Sequence, residues 1–144
     1  MDRFIVAIAN HLAALFTEAT IYDEAVPQNF RTPSFYIRRY NTVNNWEIAS
    51  QYAKREDYFE VIFFPDDSKE KNPQMLEVED IIYAHSRYLK FEDGSVMNIF
   101  DMNSEIVDET LQITFKLIYQ VYIEKVETKL GQLTQNGVVT NGNT

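Results

Sequence analysis

Three carboxylates near the middle of the chain are the residues whose types and spacing come closest to a reaction centre. Asp66 and Asp67 directly follow an apolar segment that ends at Phe64, and Glu60 lies within that segment. Carboxylates that follow a strand hold metal ions in many α/β enzymes, where the metal polarises the substrate and activates water. A metal-dependent enzyme of the nuclease kind is therefore one hypothesis, although a solvated turn is the simpler interpretation.

Other catalytic motifs are missing from the sequence. His11 and His85 are the only histidines, and neither belongs to a zinc-binding H-E-x-x-H pattern. There is no G-x-S-x-G turn to place a nucleophilic serine, and the 4 glycines form no phosphate-binding loop. The absence of cysteine excludes disulfides and thiolate catalysis. We therefore expect no enzymatic activity, no catalytic or metal-binding residues and no cofactor.

Aromatic and basic residues are interleaved in the first half of the chain, where they predict an interaction surface. Aromatic and arginine side chains are enriched in protein interfaces and in platforms for single-stranded nucleic acid. The net charge of −9 favours a protein partner, because binding to phosphates needs a basic patch. The alternative is that the tyrosines only cover the outer face of a sheet. The residues of this aromatic and basic set are Tyr36, Arg38, Tyr40, Trp46, Tyr52, Lys54, Arg55 and Tyr58.

Two helices are predicted from apolar residues at spacings of three and four. The first covers about residues 2–17, and its apolar segment is too short and too amphipathic to span a membrane. The second begins after the charged residues 69–73 and ends near Lys90. Glu77, Glu79 and Asp80 are expected in its early turns, where the helix dipole favours acidic groups. These three residues form a second candidate interface.

Alternation with a period of two predicts the strands. A short strand is expected at residues 20–24, a half-buried strand at 33–40 and a strand at 51–64, with a loop at 41–50. Residues 96–99 and 102–107 are predicted as short strands. The clearest signal is a hairpin over residues 105–123, where polar Asp108 and Glu109 separate two apolar segments. The expected fold is α+β, with a mostly antiparallel sheet of about five to six strands and two helices packed on one face.

The size and composition indicate one domain. The chain has 144 residues, of which 45% are hydrophobic, enough for one core. After residue 124 the sequence is rich in Asn, Gln, Thr and Gly and poor in charge. We therefore predict a single domain at residues 1–123, followed by a flexible polar tail at residues 124–144.

Four segments in this order resemble a known family. They are MDRFIVAIANHLAALF, TIYDEAVPQNFRTPSFYI, YFEVIFFPDDSKEKN and EIVDETLQITFKLIYQVYI. Their pattern is similar to that of the phage tail terminator family, short proteins encoded in the tail modules of phages and of defective prophages of Gram-positive bacteria. The resemblance covers about residues 1–123 and includes no catalytic signature.

The resemblance implies a structural role. Such a subunit would assemble in the host cytoplasm as a hexameric ring on the last ring of tail-tube subunits. It would end the growth of tube and sheath and present a surface to the head-completion proteins. DNA would pass through the lumen without specific binding, which suits an acidic subunit, and no membrane contact is implied.

The residues are compatible with this role but leave an alternative open. A ring needs two complementary patches on each subunit, and the aromatic and basic set together with the acidic helix is a candidate pair. Besides the metal-dependent enzyme, a monomeric adaptor that binds one protein partner through the aromatic residues remains a further hypothesis.

Overall fold

The computed structural model describes residues 2–23 and 26–122, which form two helices and seven strands. In chain order these are α1 (Arg3–Leu15), β1 (Thr20–Tyr22), β2 (Ser34–Trp46), β3 (Tyr52–Phe64), α2 (Lys71–His85), β4 (Tyr88–Lys90), β5 (Val96–Asn98), β6 (Phe100–Val107) and β7 (Thr110–Tyr122). One sheet has the order β1-β2-β3-β7-β6, and β4 pairs with β5 in a separate two-stranded sheet. The predicted α+β class is confirmed. The larger sheet is mixed, because β1 runs parallel to β2.

The chain divides into two compact units. The first comprises residues 1–43 and 55–119, and the second comprises residues 44–54 and 120–144. The tail predicted at residues 124–144 lies outside the described residues. The domain boundary predicted at residue 123 therefore stays a prediction.

The first unit has one hydrophobic core, which lies between the helices and one face of the large sheet. Every second residue of β7 from Leu111 to Leu117 is buried, and β3 alternates in the same way. The buried stripes of α1 and α2 belong to the same cluster as these strand residues. Both helices therefore pack on one face of the sheet, as predicted, because a strand turns alternate side chains to opposite faces.

The first helix agrees with its prediction. Asp2 is the N-cap, and its carboxylate accepts a hydrogen bond from the backbone N–H of Phe4 at 2.7 Å. This satisfies one of the donors that a helix start leaves without an intrahelical acceptor. Ile5, Ile8 and Leu12 are buried on one side of the helix.

The second helix is shorter than predicted. It ends at His85, with Ser86 as the C-cap, instead of continuing to Lys90. Leu89 is buried, as its place in the apolar stripe indicated, but it lies in β4 and is paired with Met97 of β5. A single buried leucine fits a helical and a strand period equally well, so the pairing with β5 decided its conformation.

The loop predicted at residues 41–50 is wrong for residues 41–46, which continue β2. Only residues 47–51 connect β2 to β3, and the N–H of Glu47 donates to the carbonyl of Tyr52 at 3.0 Å. Residues 41–46 are mostly polar and largely exposed, so they lack the alternation that marks a strand. Their backbone pairing within the sheet does not depend on it.

The hairpin predicted over residues 105–123 is confirmed for the described residues. β6 and β7 are antiparallel, with Val107 opposite Thr110. Asp108 and Glu109 form the two-residue turn, and both have left-handed φ angles of 49° and 61°. Two positive φ angles match the twist of the flanking strands in such a turn. Ile123, the last residue of the prediction, lies outside the described residues.

Candidate assembly surfaces

The sheet face opposite the helices carries charges that pair with one another across the strands. Arg38 Nε lies 2.7 Å from Glu60 Oε1, and Lys116 Nζ lies 2.9 Å from Glu56 Oε1. Lys116 also lies 3.2 Å from Asp101 Oδ2. We call this surface the outer face; its members are Tyr36, Arg38, Tyr40, Glu56, Tyr58, Glu60, Asp101 and Lys116.

Aromatic rings accompany these charges on the outer face. The rings of Tyr40 and Tyr58 have centroids 6.1 Å apart, and Lys116 Nζ lies 5.6 Å from the Tyr58 centroid. The hydrogen bond to Glu60 is the largest cause that raises the pKa of Arg38, and the bonds to Glu56 and Asp101 raise the pKa of Lys116. Both cations therefore stay charged at any physiological pH.

The second unit exposes a group of apolar and aromatic side chains around the connection between β2 and β3. Ile48 is 98% exposed, Trp46 is 54% exposed and Tyr122 is 55% exposed. The rings of Tyr52 and Tyr122 have centroids 5.0 Å apart. We call Trp46, Ile48, Tyr52 and Tyr122 the hairpin tip.

The predicted aromatic and basic set is therefore distributed over three places. Tyr36, Arg38, Tyr40 and Tyr58 belong to the outer face. Trp46, Tyr52 and exposed Lys54 belong to the second unit. Half-buried Arg55 bonds to the hydroxyl of Tyr119, which follows the buried residues of β7. Sequence reasoning missed Ile48, whose only signal was a lone isoleucine among polar residues.

The acidic residues of α2 are placed differently from the prediction. None of them lies in the first turn of the helix, where the dipole acts, because α2 begins at Lys71. Glu77 and Asp80 are exposed, whereas half-buried Glu79 accepts a hydrogen bond from the hydroxyl of Ser104. Glu79 therefore fastens α2 to β6, and the other two carboxylates face solvent.

An open cleft in the first unit lies between the end of α1 and the start of α2. Its volume is about 380 Å³. Its apolar part is formed by Phe16, Ala19, Pro33, Phe63 and Val78, and its charged residues are Glu18, Asp66, Lys69 and Glu77. Three carboxylates and one ammonium group make its charged part acidic.

The three carboxylates of the metal-dependent hypothesis make separate contacts. Glu60 pairs with Arg38 on the outer face. Asp66 accepts from the N–H and the hydroxyl of Ser68, and these bonds lower the pKa of Asp66. Asp67 lies 3.5 Å from Lys71. Within residues 2–23 and 26–122, no group of three or more histidine or acidic side chains is arranged to hold a metal ion.

A buried carboxylate on the inner face of the sheet is the polar feature that sequence reasoning missed. Asp57 is 1% exposed and accepts from the hydroxyls of Thr42 at 2.9 Å and Tyr119 at 2.8 Å. Arg39 Nε lies 3.5 Å away, and Arg39 also pairs with Asp2, the N-cap of α1. Asp57 thus links three strands, and its position two residues before buried Phe59 was the available signal.

A polar contact joins α1 to the C-cap residue of α2. His11 Nε2 and Ser86 Oγ are 3.0 Å apart. Burial, and then the nearby charge of His85, lower the pKa of His11. The imidazole of His11 is therefore neutral at neutral pH and acts as a hydrogen-bonding group between the helices.

No helix within the described part of the chain combines the length and the apolar character that a membrane span requires.

Comparisons with known proteins agree with this fold. A chain in the virion of a native gene transfer agent particle has a TM-score of 0.50 and 13% sequence identity; the alignment covers 83% of this chain and 95% of that chain. At this identity the likeness concerns the fold. No protein with a curated description matched the sequence. The sequence model of the phage tail terminator protein family matches residues 3–129. Because this match spans most of the 144 residues, the chain belongs to the phage tail terminator family and is a structural protein of the phage tail.

Proposed function

We propose that this protein forms a hexameric ring that caps the tail tube, ends tail growth and provides the surface to which the head is joined. The observation that carries the proposal is that each chain presents two different kinds of patch. One is the apolar and aromatic hairpin tip, and the other is the acidic surface around Glu77 and Asp80. A ring is built from heterologous contacts, in which a patch of one subunit meets a different patch of the next.

The residues of the proposed ring contact come from two sources. The aromatic and basic side chains of β2 and β3 would meet the exposed acidic residues of α2 in the neighbouring subunit. Arg38 is already paired with Glu60 and Glu79 with Ser104. Lys54, Arg38, Glu77 and Asp80 are exposed, whereas Glu79 is half-buried. We therefore assign the intersubunit charge pairs to the four exposed residues before Glu79.

The proposed partners follow from the position of such a ring. The tail-tube protein would bind one side and a head-completion protein the other. DNA would pass through the lumen without specific binding, and the net charge of −9 supports this because like charges repel the phosphates. Assembly would take place in the host cytoplasm, without enzymatic activity and without a cofactor.

The mass of the protein in solution tests the ring. Size exclusion with light scattering over a range of concentrations, alone and with tail-tube protein, should show a species of about six subunits. Negative-stain images of that fraction should show closed rings. A chain that stays monomeric at all concentrations, also with tail-tube protein, would overturn the ring and favour the monomeric adaptor.

The capping activity needs its own assay. Tail-tube protein that polymerises into tubes should stop growing when this protein is added, and the rings should be seen at tube ends. The charge-reversed variant Glu77→Lys is expected to cap poorly, whereas Glu92→Lys, in the turn before β5, serves as the matched control. Tubes of unchanged length in the presence of wild-type protein would contradict capping.

A further inference from the structure

We propose that in the ring the hairpin tip of one subunit inserts Ile48 into the cleft of a neighbouring copy of this chain. The inference rests on the proposed ring and names the contact that closes it.

The exposure of Ile48 is the first observation. At 98% exposed, the side chain of Ile48 is almost uncovered by the described residues of its own subunit. Removing apolar surface from water is favourable, so a fully exposed isoleucine gains the most when a partner covers it. Trp46 and Tyr52, both partly exposed, flank it and extend the apolar surface of the tip.

The loop that carries Ile48 is ordered by its own hydrogen bonds. Glu47 N–H donates to the Tyr52 carbonyl at 3.0 Å, and Ser50 N–H donates to the Glu47 carbonyl at 3.2 Å. Tyr52 N–H donates to the Ser50 hydroxyl at 3.0 Å. A loop that is already ordered loses little conformational entropy on binding. The tip is therefore presented as a preformed insert.

The cleft has the properties that such an insert requires. Its volume of about 380 Å³ lies at the lower end of the range of binding pockets, roughly 300–1,000 Å³. Phe16, Phe63 and Val78 supply apolar walls for an isoleucine side chain. It is open to solvent, so an insert can reach the walls without unfolding the subunit.

Charge favours the tip of a second copy as the occupant. The cleft combines Glu18, Asp66 and Glu77 with a single Lys69 and is therefore acidic. Lys54 is the one cation among the described residues of the second unit. Lys54 is exposed, and its positive charge is complementary to the acidic residues of the cleft when Ile48 enters it.

Disulfide trapping tests this contact directly, since the chain contains no cysteine that would give a background. The double variant Ile48→Cys with Thr17→Cys places one thiol on the tip and one in the cleft, where exposed Thr17 is a lining residue. Mild oxidation links two thiols only when their β-carbons approach to about 4 Å. The double variant should give a ladder of linked chains up to the closed ring on a non-reducing gel.

Single variants and a displaced pair serve as controls. Mixing the two single variants should give linked dimers and nothing larger, because each chain then carries one thiol. Ile48→Cys alone should stay unlinked, since two tips do not meet. The pair Ile48→Cys with Glu92→Cys, whose second thiol lies in the exposed turn before β5, should not form a ladder. Equal ladders from both double variants would overturn the contact.

A substitution separates this inference from the proposed ring. Ile48→Asp should weaken ring assembly about tenfold or more, as removal of a central apolar contact does. Val96→Asp, at a site that is 55% exposed, should leave assembly unchanged.

The outcomes distinguish the contact from the ring. If wild type forms rings and Ile48→Asp forms them equally well, the proposed contact is wrong and the proposed ring is unaffected. If the Ile48→Asp variant forms rings that no longer bind tail-tube protein, the hairpin tip contacts the tube instead, and the proposed contact with the cleft is also wrong. Wild type that never forms rings overturns both.

Discussion

The two faces of the sheet in the first unit hold their charged side chains in different environments. The inner face is apolar and contains one buried carboxylate, Asp57, that several donors satisfy. The outer face has no helix over it in the described part of the chain, and its charges pair side by side in partial contact with water. Stability therefore depends on the inner face, whereas the outer face can change in sequence at low cost.

The largest effect is expected from the centre of the inner face. Phe59 is fully buried and its ring lies 5.8 Å from that of Phe115. Phe59→Ala should lower the free energy of unfolding by about 4 kcal/mol, because it removes apolar contacts and leaves a cavity. Urea unfolding followed by circular dichroism measures this. Tyr40→Ala on the outer face is the matched control, and equal losses from both would contradict the division between the faces.

The second-largest loss of stability is expected from substitution of the buried carboxylate Asp57. Asp57→Ala leaves Arg39, Thr42 and Tyr119 without their shared acceptor, which should cost about 3 kcal/mol. The same unfolding experiment measures it, with Glu60→Ala of the outer face as the control. A loss below about 1 kcal/mol would show that water replaces the carboxylate and that Asp57 does not link the strands.

A smaller effect is expected from the hydrogen bond between the helices, and it depends on pH. Burial lowers the pKa of His11 below its ordinary 6.5, so the unfolded chain binds more protons than the folded one in the interval below pH 6.5. Stability is therefore complete above pH 6.5 and is lost as pH falls through that interval to the lowered pKa.

The measurement compares urea midpoints of wild type and His11→Gln at about pH 7.5 and about pH 5.5. Wild type should lose more stability between the two values than the variant, whose amide does not titrate. His85→Gln is the companion variant, because His85 contributes to the lowered pKa of His11. Identical pH dependence in wild type and His11→Gln would refute the role of His11.

The smallest effect is expected from the ion pairs of the outer face. Arg38 has a side chain that is 50% exposed, so solvent screens its pairing with Glu60. Arg38→Gln should change the free energy of unfolding by about 1 kcal/mol or less. The double variant with Glu60→Gln tests whether the pair contributes more than the two residues do separately. A coupling as large as the Asp57→Ala effect would remove the distinction between the faces.

The prediction of the fold succeeded where one periodicity was sustained and failed where it was short or missing. The hairpin of β6 and β7 was recognised because β7 alternates over its whole buried length, and α1 because its apolar residues recur at spacings of three and four. Residues 41–46 and Leu89 were misassigned. Their conformation depends on pairing with strands that are distant or later in the sequence, which local patterns do not contain.

The residues of the candidate surfaces were predicted from the sequence, whereas their contacts within the subunit were not. All eight residues of the aromatic and basic set lie on β2 and β3, which are neighbours in the sheet. The bond between Arg55 and Tyr119 was not predicted. Glu79 accepts a hydrogen bond from Ser104 within the subunit, and its place in an interface stays a prediction. Alternation along a strand indicates which face a side chain occupies, but it does not show which strand lies beside it. The partners of these side chains were therefore not predictable.

The sequence by itself determined the fold class, the inner and outer faces of the long strands and the family, because these depend on alternation and order along the chain. Only the tertiary structure decided that Asp57 is satisfied in the core, that Ile48 stands exposed at the hairpin tip and that an acidic cleft forms beside α2. Each of these requires residues far apart in sequence to meet. Such meetings are set by the packing of helices and strands against one another and not by any local pattern.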